Sequence, residues 1–196
     1  MSAVLRVLVL GAGGTGGYFG GRLAQSDAEV TFLVRPARAS QLERDGLSFH
    51  SPLGDARFPV AHVVAEDLPA LAAASPFDLV VLSCKAYDLD SAIEAVAPAV
   101  GAATTVMPIL NGLLHYEALD ARFGRDRVLG GLCFISATKA ADGAGLHLDK
   151  PAKLTFVERD GAADSARVSA LSNACESADI DHVASSDIAQ EQWIKY

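Results

Sequence analysis

Apolar residues fall into two patterns along this chain. Residues 4–10, 29–34, 77–85 and 104–112 are short, nearly continuous apolar runs ("VLRVLVL", "EVTFLV", "FDLVVLSCK", "TTVMPILNG"). Such runs suit strands buried on both faces, as in a parallel sheet. Between them lie stretches with helical spacing. Residues 89–101 place Ile93, Val96 and Val100 on one face. Residues 37–44, 67–75, 115–124 and 163–179 read as further helices. Residues 61–66 read as a short core strand, and 47–60 as a β-hairpin about Pro52-Leu53-Gly54. Residues 127–139 read as one more strand, and 145–159 as two short strands on either side of Pro151. Pro108 lies inside an expected strand, where a central position loses a ladder bond. Strands alternating with helices predict an open parallel sheet with helices on both faces.

One stretch breaks helical propensity outright. Residues 11–21, "GAGGTGGYFGG", follow the first strand and open a helix, yet seven of the eleven are glycine. Each glycine inside a helix costs about 1 kcal/mol relative to alanine. Gly11, Gly13 and Gly16 form G-x-G-x-x-G in the strand-to-helix context this motif requires. Gly11 permits the turn, Gly13 lets backbone approach a pyrophosphate, and Gly16 lets the helix lie against the strand. The helix N-terminus offers free N–H groups and partial positive charge to phosphates. The candidate cradle is therefore Gly11, Ala12, Gly13, Gly14, Thr15 and Gly16. Gly21 has no such account, and another small residue should serve there.

Cofactor choice is read at the end of the second strand. An NAD site carries Asp or Glu there, bonded to the ribose 2′-hydroxyl. This chain has Arg35 and no carboxylate, which favours a 2′-phosphate and so NADP. Arg38 reads as surface. Lys85 and Asn111 end two apolar runs and should emerge where ligands bind, outside the carboxyl ends of the strands. Asn-Gly is equally a turn signal.

Composition narrows the classes. A net charge of −8 leaves no basic excess for a nucleic-acid surface. The three cysteines lack metal-type spacing, and free buried thiols in a reducing, cytoplasmic setting are expected, with no metal site. No segment reads as a signal peptide or a membrane span.

Taken together, "VLVLGAGGTGGYFGGRLA", "TFLVR", "FDLVVLSCKAYD", "ILNGL", "LGGLCFISATKAADGAGLHL" and the final "QWIK" resemble the ketopantoate reductases (2-dehydropantoate 2-reductases). The resemblance implies an α/β fold with a Rossmann-type, doubly wound, mainly parallel sheet. It implies an NADP-binding domain over residues 1–183 and the start of a truncated, all-helical second domain over 184–196. It implies NADPH-dependent reduction of ketopantoate to pantoate, on the route to pantothenate and coenzyme A. Arg35 would then meet the 2′-phosphate. Lys85 and Asn111 would line the nicotinamide region, with Ala137 against the cofactor. Asn111 and Lys195 would meet the substrate, Lys195 as the proton donor.

Relatives of this kind continue for a further helical domain, so the long form is expected to be a homo-oligomer. Chain ends fray unless docked, so Lys195 is expected to be poorly held and the 196 residues weakly active. Two alternatives stand beside this reading. One is a reductase for another 2-keto or 3-hydroxy acid. The other is a dinucleotide-binding module without catalysis.

Overall fold

The computed structural model describes residues 4–185 and 187–195. Five parallel strands form the first sheet: β1 (Arg6–Leu10), β2 (Glu29–Leu33), β5 (Ala61–Val63), β6 (Leu79–Leu82) and β7 (Thr105–Pro108). Their spatial order is β5-β2-β1-β6-β7, so the winding reverses between β1 and β6. The continuous apolar runs follow from this placement. Val7 and Val9 of β1 belong to one core and Leu8 to another, and Val81 and Val80 of β6 divide the same way. Arg6 interrupts the first run because it sits at the strand's edge, bonded to Glu29 Oε2 at 3.0 Å and the Pro76 carbonyl at 2.7 Å.

Helices α3 (Leu68–Ala74), α4 (Leu89–Val96) and α5 (His115–Phe123) cover one face. Leu68, Ile93, Val96 and Leu119 close that core. The other face carries α1 (Gly14–Leu23), α2 (Pro36–Asp45), α6 (Ala166–Ser177) and a second sheet. In that sheet the hairpin β3 (Leu47–His50) and β4 (Ala56–Phe58) joins β8 (Gly130–Lys139), β9 (Gly145–Val157) and β10 (Asp181–Ala184). β9 is parallel to β3 and β10 and antiparallel to β8.

Three local expectations change. Residues 145–157 form one strand, not two. Ile135 pairs with Ala152 and Ala137 with His147, so Leu148 to Pro151 bulge out opposite Ser136 alone. Pro151 sits in that bulge, where no ladder donor is needed. Pro108 closes β7 as its last residue, and the next amide, Ile109, bonds the Leu82 carbonyl at 3.0 Å. β10 crosses the expected domain boundary at 183. Its four residues, DHVA, are too short to signal a strand, and pairing with β9 makes them one.

The glycines of α1 are explained by its place between the two sheets. A methyl at Gly20 would stand 2.8 Å from the Phe32 ring of the first sheet. One at Gly21 would stand 2.8 Å from Phe49 and 3.0 Å from Leu47 of the second. Phe49 and Leu47 are each 1% exposed and have nowhere to move. Gly21 thus has a packing reason, and a larger residue does not serve. Close approach on both faces offsets the propensity cost.

Candidate functional site

The site lies at the carboxyl ends of β1, β2, β6 and β7, around the reversal of strand order. The chain leaves β1 through Gly11, whose φ of +90° favours glycine, and whose N–H donates to the Leu33 carbonyl at 2.9 Å. Gly13 caps α1 with no side-chain partner. A methyl built on it meets nothing within 4 Å, so the loop faces open space there. Gly16 has the opposite surroundings. Its added methyl would collide with Ser83 Oγ and stand 2.7 Å from the Gly11 carbonyl. Ser83 follows β6 directly and donates its hydroxyl to the Leu10 carbonyl at 2.7 Å, tying the two strands on either side of the reversal. Sequence reading missed it because a lone serine after a strand carries no signal.

Gly14 serves packing as well as the loop. A methyl on it would stand 2.8 Å from the Thr138 nitrogen and 2.9 Å from the Ala137 carbonyl carbon. Ala137 therefore lies against the glycine loop. Thr15 follows in the first turn of α1, and Ala12 is buried.

Arg35 stands exposed one residue beyond Val34 and caps α2. Arg38 is not a plain surface residue. Its guanidinium donates to the Ala12 carbonyl at 2.9 Å and to Gln41 Oε1 at 2.6 Å, and its Nε is buried without a partner among the described residues. Burial lowers its pKa from the ordinary value. Its spacing after Arg35, one helical turn, was the available signal.

The polar end of the site is assembled from three distant segments. Lys195 caps the carboxyl end of α7 (Ile188–Ile194). Its Nζ donates to Asn111 Oδ1 at 2.7 Å and to the Cys133 carbonyl at 2.6 Å. The end of the chain is thus bonded at two points, where fraying was expected. Asp187 caps α7 by accepting from the Gln190 N–H at 3.0 Å, and Ile188 packs with Leu132 and Val157. Gly112 after Asn111 turns with φ +84°, and the Asn111 side chain holds the lysine. Lys85 is exposed after β6. Burial pushes the Cys133 thiol up to about 11, against the opposing pull of the Lys195 and Lys85 ammoniums, so both cations lie near it. Cys175 is buried as expected, but Cys84 is only half-buried.

Tyr87, Leu114, Phe134, Trp193 and Ile194, all near these polar groups in sequence, are exposed. A cleft of about 540 Å³ opens instead beside Leu5, Asp27, Asp78 and Thr105, at the amino ends of the strands, and holds none of the candidate residues. Among the described residues, no helix is long and apolar enough to cross a membrane.

A parallel sheet reversing between β1 and β6, with a glycine turn and an open helix N-terminus there, defines a Rossmann-type α/β domain. The chain belongs to the family described as ketopantoate reductase PanE/ApbA, which matches residues 7–161. It is 38% identical over 192 residues to the uncharacterized oxidoreductase YkpB of Bacillus subtilis, covering 98% of this chain and 61% of YkpB. It is 28% identical over 141 residues to the 2-dehydropantoate 2-reductase of Nostoc, covering 72% of this chain and 43% of that protein. The crystal structure of 2-dehydropantoate 2-reductase from Geobacter metallireducens superposes with a TM-score of 0.86 at 28% identity, over 97% of this chain and 61% of that one. The chain thus spans about three fifths of the length of the first relatives it matches.

Proposed function

We propose that this site binds NADPH and reduces 2-dehydropantoate (ketopantoate) to pantoate. The observation that carries the reading is the lysine amine bonded to Asn111 and the Cys133 carbonyl at the carboxyl end of the sheet. The residues fit the cofactor. Open space at Gly13 and an uncapped α1 N-terminus suit a pyrophosphate, and an exposed guanidinium at Arg35 suits a 2′-phosphate. Gly11, Ala12, Gly13, Gly14, Thr15 and Gly16 would cradle it, with Lys85, Asn111 and Ala137 toward the nicotinamide. When bound, NADPH supplies the hydride.

The chain's own part is to hold the keto acid and manage the proton. Addition at C2 breaks the carbonyl π bond and places negative charge on oxygen. The Lys195 ammonium stabilises that charge by hydrogen bonding and transfers one N–H proton to the oxygen, giving the hydroxyl of the product. The neutral amine left behind is reprotonated from solvent. Asn111 and the Cys133 carbonyl hold the amine until substrate arrives. Asn111 can then turn its amide N–H groups to the substrate.

The 196 residues alone are proposed to bind cofactor and turn over weakly, because the matched relatives are longer by about two fifths of their own length. A cytoplasmic location, a route to pantothenate and coenzyme A, and a homo-oligomeric long form belong to the same proposal. The test titrates NADPH and NADH separately, then follows nicotinamide absorbance with ketopantoate and a panel of other 2-keto acids. The long form is then assayed in the same way. Tighter NADPH binding and preferential ketopantoate reduction support the reading. A different preferred acid would reassign the substrate, and no binding of either dinucleotide would end the proposal.

A further inference from the structure

The amine of Lys195 is fixed at two bonds although α7 has only seven residues, too few for a helix to be stable alone. Something outside α7 must hold it. Gln192 lies one turn before Lys195, on the same helical face, and is 1% exposed. Its Nε2 donates to the Gly131 carbonyl at 3.1 Å and to Tyr116 Oη at 3.2 Å. The Gly131 N–H donates to the same Tyr116 oxygen at 3.1 Å. These bonds close a ring through α7, β8 and α5.

The elements in this ring also build the lysine's surroundings. β8 supplies the Cys133 carbonyl, two residues after Gly131. The segment leading from β7 into α5, where Tyr116 lies, supplies Asn111. α7 supplies Lys195. Gly131 also lies tight against β7, since a methyl there would collide with the Pro108 carbonyl and stand 2.8 Å from the Met107 side chain.

An amide is a costly choice for this buried position. Gln192 Oε1 has no partner among the described residues, a penalty that a leucine of similar size avoids. A leucine would bury as well but would leave the rotation of α7 unspecified. Directed bonds from the amide specify it.

We propose that Gln192 and Tyr116 are positioning residues. Their shared hydrogen-bond ring sets the rotation of α7 and so aims Lys195 at Asn111 and the Cys133 carbonyl. The inference rests on the proposed role of Lys195 only for its catalytic consequence, since the geometric consequence can be measured separately.

The test uses the whole chain with Gln192→Leu and Tyr116→Phe. Lysines are acylated with an amine-reactive ester, and the rate at each is read by mass spectrometry. In each variant Lys195 should be acylated about tenfold faster, as the loss of buried, directed bonds frees it, while Lys85 and Lys139 keep their rates. The double variant should add little to either single one, because one ring is being broken. In the long form, kcat should fall about tenfold with the KM for dinucleotide unchanged. Tyr116→Phe keeps the aromatic ring and removes one oxygen, so it decides the matter if Gln192→Leu fails to fold. An unchanged Lys195 rate in folded Tyr116→Phe overturns the proposal. If acylation rises as expected while Lys195→Ala leaves turnover intact, the positioning ring stands and the assignment of the proton donor falls.

Discussion

The two ends of this site are built from different materials. The glycine loop is six consecutive residues whose work is done by backbone and by missing side chains. The lysine end is built from side chains and carbonyls drawn from far apart, with Lys195 reaching 84 residues back to Asn111 and 62 back to Cys133. The loop is held by its own turn and by the two sheets around α1. The lysine is held by a short helix pinned through buried polar bonds. The first is a local solution that tolerates added atoms badly. The second is a long-range one that tolerates lost atoms badly.

The largest break in that contrast comes at the lysine. Lys195→Ala in the long form should lower kcat by about 10²- to 10⁴-fold, the usual worth of a positioned proton donor. Dinucleotide affinity should hold, because the loop lies elsewhere. Titration and steady-state kinetics on one preparation separate the two. A matching fall in dinucleotide affinity would mean that the two ends are not independent.

Acid should also strike the lysine end first. His115 precedes Tyr116 in α5 and is 4% exposed, with its ring centroid 4.2 Å from that of Tyr116. Burial, aided by the like charge of Arg159, lowers its pKa to about 4. The unfolded chain binds this proton near pH 6.5 and the folded chain only near pH 4. Above pH 6.5 neither form is charged, and the histidine has no effect on stability. As pH falls from 6.5 to 4 only the unfolded form gains the proton, so the folded state loses up to about 3 kcal/mol. Denaturation at pH 7 and pH 4.5 measures the loss, and His115→Leu should remove this share. Glu158 behaves differently. Its hydrogen bond from Arg167 lowers its pKa, so its contribution is lost only in more acidic solution and persists in the variant.

How much could be read in advance follows the same division. The glycine turn between β1 and α1, the parallel sheet with helices on both faces and the place of Arg35 just beyond β2 were legible because they depend on local spacing and on apolar runs. The bond between Lys195 and Asn111 was not legible from the residues. A lysine near a chain end looks like any surface lysine, and only the resemblance marked it. The second sheet was half visible, as the β3–β4 hairpin and separate strands over 127–139 and 145–159, because β9 pairs with β3 and β10 across distances that no local pattern encodes. Arg38 was misread because helical spacing places it near Arg35 without showing that it folds back onto Ala12.

Within the loop, two neighbouring glycines should answer the same substitution in opposite ways. Gly16→Ala forces a methyl against Ser83 and the Gly11 carbonyl and should cost about 1–3 kcal/mol of stability, as overpacking does. Gly13→Ala adds its methyl to open space and should change stability by less than about 1 kcal/mol, chiefly through a poorer helix cap. Its effect should appear in dinucleotide affinity instead. Urea denaturation alongside cofactor titration tests both. Equal stability losses would mean that Gly13 is there for the fold and not for a ligand.

The smallest effect concerns cofactor choice, and it falls on an exposed side chain. Arg35→Ala should weaken NADPH binding about tenfold, a modest figure because an exposed charge pair is screened by water and salt. NADH affinity should stay level, since only the 2′-phosphate distinguishes the two. Arg38 cannot simply take over. Its guanidinium is committed to Ala12 and Gln41, and freeing it would leave the Ala12 carbonyl without that donor. Raising the salt concentration should narrow the gap between the two cofactors in the parent and leave it unchanged in the variant. An equal loss for NADPH and NADH would place Arg35 in the general field of the loop and leave nucleotide preference to another residue.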